Sequence, residues 1–200
     1  MEDEVPPLRH FALLAAAFEG GLVVVALGLG WLVGQEPLES FHWSLADAGW
    51  GVVATLPPLA LFWLCLQCPI RPVKRLVRVV DEMLVPLFRD CRILDLAVIS
   101  ALAGLSEEML FRGVIQQAVA DATPGQAGVW IGLAVAAILF GLAHRITNTY
   151  ALLAGVIGLY LGAVWLMTGN LLVPIVAHAL YDCLALIFLV RIRRAPTVSP

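Results

Sequence analysis

Residues 106–113 read Ser-Glu-Glu-Met-Leu-Phe-Arg-Gly. Two adjacent carboxylates, Glu107 and Glu108, and the guanidinium of Arg112 therefore stand inside a stretch that is predominantly apolar from Ile93 to Val119. An Asp, Lys or Arg at the centre of a membrane helix costs about 2.5–3.5 kcal/mol on insertion-derived scales. Ionisable groups in such a place pair with one another, line a wet cavity or carry chemistry.

The surrounding sequence says that the setting is a membrane. Of the 200 residues, 61% are hydrophobic and 14% charged, with a mean hydropathy of +0.92, whereas soluble domains are roughly 45–50% apolar. Apolar runs near the ~20 residues that cross a bilayer fall at about 11–34, 50–70, 93–119, 127–144, 149–168 and 171–190. They predict an all-α integral membrane bundle of about six transmembrane helices, forming a single domain. Pro57 and Pro58 remove amide donors from the second run and predict a kink there.

Basic residues set the expected orientation, because short cytoplasmic loops are rich in Lys and Arg. Arg9 precedes the first run; Arg71, Lys74, Arg75, Arg78, Arg89 and Arg92 separate the second from the third; Arg145 follows the fourth; Arg191, Arg193 and Arg194 follow the sixth. In a six-span arrangement all of these fall on one side, with both termini cytoplasmic. The exception is Arg112. This distribution follows topology instead of forming a basic patch, so nucleic acid is not an expected partner. The acidic opening MEDEVPPLRH lacks the basic region and cleavage site of a secretory signal, and the first apolar run is expected to be retained. Residues 71–90, RPVKRLVRVVDEMLVPLFRD, mix basic and apolar residues at helical spacing, which predicts an amphipathic segment lying at the cytoplasmic interface. Its plain reading is an orientation anchor; the alternative is a docking surface for an anionic lipid or a substrate tail. Cys65, Cys68, Cys91 and Cys183 read as small apolar filler. Gly158-x-x-x-Gly162 reads as a close-packing signal and nothing more.

Three polar constellations lie in or at the ends of these runs: Glu107-Glu108-x-x-x-Arg112, Phe140-x-x-x-His144 and His178-x-x-x-Asp182. Residues four apart share a helix face and residues five apart diverge. Glu108 is thereby placed to pair with Arg112, while Glu107 is left free as a candidate general base. The alternative is a buried ionic network of both glutamates with Arg112. His178 and Asp182, on one face, suit a hydrogen-bonded couple, two metal ligands or an oriented acid/base unit. Glu107, His144, His178 and Asp182 come from three separate helices and converge only at a common interior site. Carboxylates with imidazoles suit activation of a water, with or without a divalent metal. No Gly-x-Ser-x-Gly elbow, His-Glu-x-x-His helix or phosphate-cradling Gly loop offers another chemistry. Glu19 reads as facing the bundle or snorkelling, with a partnership with Arg112 or a place on a wet cavity wall as the alternatives; His10, His42 and Asp95 have no sequence-level partner, and all four are left outside the site.

SEEMLFRG, FGLAH and HALYD resemble, in order, the Glu-Glu-x-x-x-Arg, Phe-x-x-x-His and His-x-x-x-Asn/Asp motifs of the CPBP (CAAX protease and bacteriocin-processing, Abi) intramembrane proteases. The resemblance covers roughly residues 93–190. It implies a catalytic core over 93–190, preceded by two spans and the interfacial segment in 1–92 and followed by a cytoplasmic tail at 191–200. It implies proteolysis in a membrane cavity open toward the cytoplasm, with Glu107 as the base and His144 positioning or activating the water. Glu108 and Arg112 complete the first motif. His178 and Asp182 stand where the family stabilises a tetrahedral oxyanion. The prenyl-endopeptidase branch carries Asn at the last position, and an ionised carboxylate repels an oxyanion that an amide would bind. Asp182 must then be protonated, orient His178 or bind a metal; the orienting role is preferred. Both zinc-type and glutamic-type mechanisms have been advanced for the family, and Glu107, His144, His178 and Asp182 could ligate a divalent metal such as zinc. The implied substrate is a protein or peptide with a membrane-associated or lipidated tail: a prenylated tail, a bacteriocin or signalling propeptide, or a sorting tail. The small size ranks processing in a bacterial-type cytoplasmic membrane first. The competing expectations are a non-catalytic scaffold or immunity protein and a proton-coupled transporter; no internal repeat supports the last.

Overall fold

The computed structural model describes residues 7–193. The opening MEDEVP and the tail beyond Arg193 lie outside the described residues, and with them the ends whose cytoplasmic placement the basic residues predict. Every regular element among the described residues is helical. In chain order these are α1 (Pro7–Val33), α2 (Leu45–Ala54), α3 (Leu56–Gln67), α4 (Arg71–Val79), α5 (Val85–Phe88), α6 (Ile93–Glu108), α7 (Gln117–Ala122), α8 (Ala127–Ala143), α9 (Asn148–Thr168) and α10 (Leu172–Ile187). Wider π turns join α4 to α5 at Val80–Leu84 and α6 to α7 at Met109–Gln116, and one extends α10 at Phe188–Ile192.

All six apolar runs are helical, but the expected six spans reduce to four. Phe11–Val33, Leu45–Gln67, Asn148–Thr168 and Leu172–Ile192 are long and apolar enough to cross a membrane. The two that fall short are the carriers of the first two motifs. Residues 93–122 hold Asp95, Glu107, Glu108, Arg112 and Asp121, which breaks the apolar run. Helix α8 has 17 residues, and at ~1.5 Å per residue that is less than the ~30 Å hydrocarbon core requires. The protein is nonetheless an integral membrane protein. Trp31, Leu45 and Met167 are 82%, 81% and 85% exposed, an outer surface that suits lipid.

The proline pair acts as the sequence predicts. Pro57 and Pro58 lie in the first turn of α3, where an amide is dispensable, and the span is divided at Thr55. That residue turns its hydroxyl back to the Gly51 carbonyl at 3.0 Å. Asp95, left outside the site, accepts from the Arg92 amide at 2.8 Å and caps α6.

The most extensive helix contacts are α8 with α9 and α10 with α6. Gly104 lets the second pair approach closely: a Cβ there would lie 2.8 Å from the Ala179 amide nitrogen and 2.9 Å from the Ile175 carbonyl oxygen. This contact sits one turn before Glu108 and beside His178, so it sets the spacing of two motif helices. Backbone atoms cannot swing aside as a flexible side chain can. Gly104→Ala is therefore expected to cost about 1–3 kcal/mol, read as a lowered unfolding midpoint in detergent. Gly28→Ala, with nothing within 4 Å of the new methyl, should leave the midpoint unchanged.

Candidate active site

The polar centre is built from Arg112 outward. Its Nη1 donates to Glu108 Oε1 at 3.0 Å and its Nη2 to the Gly158 carbonyl at 2.7 Å. The guanidinium carbon stands 4.9 Å from the centroid of the Phe140 ring. Arg112 is 1% exposed and Glu108 0%, so neither charge would be tolerable without the other. One turn on, Gln116 Nε2 approaches the Gly162 carbonyl at 3.5 Å. The Gly158-x-x-x-Gly162 spacing thus does more than allow close packing. It leaves two carbonyls of α9 open to side chains from the π turn.

Phe140 is the hub of the aromatic packing. Its ring stacks on His144 at 4.5 Å between centroids and 25° between planes, and meets Phe111 edge-on at 5.0 Å. The His178 ring lies 5.8 Å away. At the end of α8, His144 Nδ1–H donates to the Phe140 carbonyl at 2.8 Å. A neutral ring then carries its lone pair on Nε2, and Nε2 faces Glu107 Oε2 at 3.4 Å. Two acceptors in this position repel unless a proton lies between them or a water beside them donates to both.

His178 takes a different partner. Its Nδ1 is 2.8 Å from Glu108 Oε1, whereas its Nε2 is 3.5 Å from Asp182 Oδ2. The nearer carboxylate, and hence the stronger orienting contact, is Glu108. Glu108 Oε1 is shared by Arg112 and His178, which ties the first motif to the third. Spacing separates Glu107 from Glu108 as expected, but the two histidines divide between them: His144 with Glu107, His178 with Glu108. One oxygen of each glutamate, Oε2, is buried without a hydrogen bond among the described residues.

Among the described residues no three His, Cys, Asp or Glu side chains form a cluster that could hold a metal, whereas a catalytic zinc takes three protein ligands. Glu108 Oε1 already accepts twice, whereas His144, with its Nδ1–H on a carbonyl, leaves Nε2 and the facing Glu107 as the pair a zinc would draw on.

A cavity of about 260 Å³ opens from this centre. His144, Tyr150, His178, Tyr181 and Asp182 line its inner end, and apolar side chains of α3, α4, α5 and α10 line the rest, among them Phe62, Leu76, Val85 and Leu186. The 71–90 segment therefore turns Leu76 and Phe88 inward, both buried, with Arg71, Lys74, Arg75 and Arg78 exposed. At the rim, Arg193 donates to Asp81 at 2.9 Å. Burial raises the Asp81 carboxyl above the ordinary carboxylate range, against the pull of Arg193.

Sequence reasoning left out one acid that the fold brings in. Glu19 of α1 accepts from the Ser106 hydroxyl at 2.8 Å, immediately before Glu107. A lone carboxylate in an otherwise apolar span was the available signal. His42 stays outside, its backbone joined to Asn170.

Residues 90–184 match a family model described as Rce1-like, Type II CAAX prenyl endopeptidase Rce1-like. Over that stretch the chain belongs to the CPBP/Rce1-like CAAX protease family. The matched stretch contains all three motifs and leaves α1 to α5 outside. Comparison with curated proteins and with solved structures found no match.

The Arg112–Glu108 pair makes a prediction of its own. Arg112→Met strands a buried carboxylate and should cost about 3–5 kcal/mol. Adding Glu108→Gln removes that charge, so the double variant should regain part of the lost stability in the same unfolding measurement.

Proposed function

We propose that this protein is an intramembrane endopeptidase that hydrolyses a peptide bond in the C-terminal tail or membrane-proximal region of another protein. The observation that carries the reading is the facing of His144 Nε2 and Glu107 Oε2 at 3.4 Å at the head of an apolar cavity. A water that donates to both acceptors from the cavity side gives a proton to Glu107 as its oxygen attacks the scissile carbonyl carbon. His144, fixed by Phe140, holds that water in line. The carbonyl π pair moves to oxygen; on collapse it returns, the C–N bond breaks, and the amine leaves with the proton that Glu107 took. Glu108 and Arg112 hold His178 beside this path. Asp182 lies within reach of the free edge of the His178 ring.

The family supports a membrane-associated protein substrate, and the apolar cavity suits a chain that arrives from the bilayer. A propeptide or sorting tail is ranked above a prenylated tail, in a bacterial-type cytoplasmic membrane. In this reading residues 93–190 form the catalytic core, residues 1–92 contribute spans and the interfacial segment, and the tail follows from 191. The exposed basic residues of 71–78 support a cavity mouth on the cytoplasmic side.

The test is a shortened product, read by mass spectrometry, from reporter proteins carrying each class of tail, with enzyme in detergent or vesicles. Glu107→Gln and His144→Ala are each expected to slow processing by at least ~10²-fold. Variants that process a verified reporter as fast as wild type would sink the proposal and leave a scaffold, an immunity protein or a proton transporter. No step here runs through a metal, so dialysis against a chelator should leave the rate unchanged. A loss restored by added zinc would overturn that part of the mechanism.

A further inference from the structure

We propose that the basic face of α4 is a binding surface for anionic phospholipid headgroups, and that headgroups seated on it hold the opposite face of α4 in place as a wall of the cavity. The proposal concerns that wall and stands independently of the hydrolytic reading. Arg71, Lys74, Arg75 and Arg78 recur at the i, i+3, i+4 and i+7 spacing that gathers side chains on one side of a helix, and all four are exposed. Val73, Leu76, Val77 and Val80 repeat the same spacing two residues on, roughly 200° around the axis. Leu76, Val77 and Val80 are among the residues that line the cavity, and the four cations are not. One short helix thus carries cavity wall on one side and four positive charges on the other.

Helix α4 contains no acidic residue, and among the described residues none of its four cations makes a side-chain hydrogen bond or ion pair. The polar ties to the end of α10 lie further along the chain. Arg193 donates to Asp81, and Arg191 donates to the carbonyls of Arg89 and Cys91. These contacts fasten the segment from Asp81 onward and leave α4 seated by its apolar face.

Two features identify the occupant. Only Cys68, Pro69 and Ile70 separate the span Leu45–Gln67 from α4, which sets the cations at the height of the headgroups. Lys and Arg clustered directly beside a membrane helix attract anionic lipid, and the attraction accumulates residue by residue. The cations also stand on the side away from the cavity. A substrate tail reaching Glu107 would have to wrap around α4 to touch them, whereas headgroups meet them directly. A ligand stabilises the conformation that presents its site. Rolling Leu76, Val77 and Val80 out of the cavity would roll the cations off the headgroups, so anionic lipid favours the wall as it stands.

Cys65 lines the same cavity and serves as the probe. The full chain carrying Cys68→Ala, Cys91→Ala and Cys183→Ala is reconstituted in phosphatidylcholine vesicles with or without phosphatidylglycerol, and alkylation of Cys65 by N-ethylmaleimide is timed. An anionic surface lowers the local pH and slows alkylation of any thiol there. A second chain that also carries Arg71→Gln, Lys74→Gln, Arg75→Gln and Arg78→Gln reports that background. Beyond it, phosphatidylglycerol is expected to slow alkylation at least about three-fold with the native α4. High salt should remove this protection without any change of sequence, and Arg71→Lys, Arg75→Lys and Arg78→Lys together should preserve it. Equal slowing in the native and Gln chains overturns the proposal, as does protection that persists in high salt. Protection by a soluble acidic peptide in neutral vesicles, with none from phosphatidylglycerol, would assign the surface to a substrate tail instead. Cleavage is not read, so inactivity toward every reporter would sink the hydrolytic reading and leave this result standing.

Discussion

The structure depends on one buried cation. Arg112 stands in a setting where an unpaired guanidinium would be prohibitive, and its tolerance comes from three directions: the Glu108 carboxylate, the Gly158 carbonyl and the face of Phe140. Each belongs to a different helix or turn of the core. Satisfying Arg112 therefore requires α6, α8 and α9 to be in register, and Glu108 extends the requirement to α10 through His178. A polar cluster of this kind contributes little net stability, yet it penalises any arrangement in which the helices slide past one another.

What the sequence made legible was the set of side chains and their faces. Four-residue spacing placed Glu108 against Arg112, Phe140 against His144 and His178 near Asp182, because that relation is local to one helix. Partners across helices were harder. That His178 prefers Glu108 over Asp182 depends on the closeness of α6 and α10 at Gly104, and spacing within one chain segment carries no such information. Glu19 was missed for the same reason: a single polar residue in an apolar run, it gains meaning only from what packs against it. The span count failed for a plainer cause. Hydropathy was read over runs, and the charges of 93–122 together with the shortness of α8 take both helices below what a bilayer crossing needs.

The cavity shows why those two helices can depart from the rule. A helix that carries carboxylates and imidazoles need not meet lipid if other elements stand outside it. Helix α1 packs along α6, and Ala26 joins Met109, Leu110, Phe111, Phe140 and Ala154 in one apolar cluster. The 71–90 segment covers the open side with Leu76, Val85 and Phe88. The polar residues face inward, and the long apolar helices face the bilayer.

The π turn at Met109–Gln116 has a consequence for how this chain tolerates change. A π turn closes i to i+5 instead of i to i+4, so it behaves as an α-helix with an extra residue accommodated in place. Removing one residue there would restore ordinary helix with the flanking turns in phase, but would shift which side chains of the segment fall on its inward face. Arg112 and Gln116 would swing off the carbonyls of α9 with no change in their identity. Length within this segment is therefore under tighter constraint than composition, and insertions or deletions there would be more damaging than most substitutions of similar size.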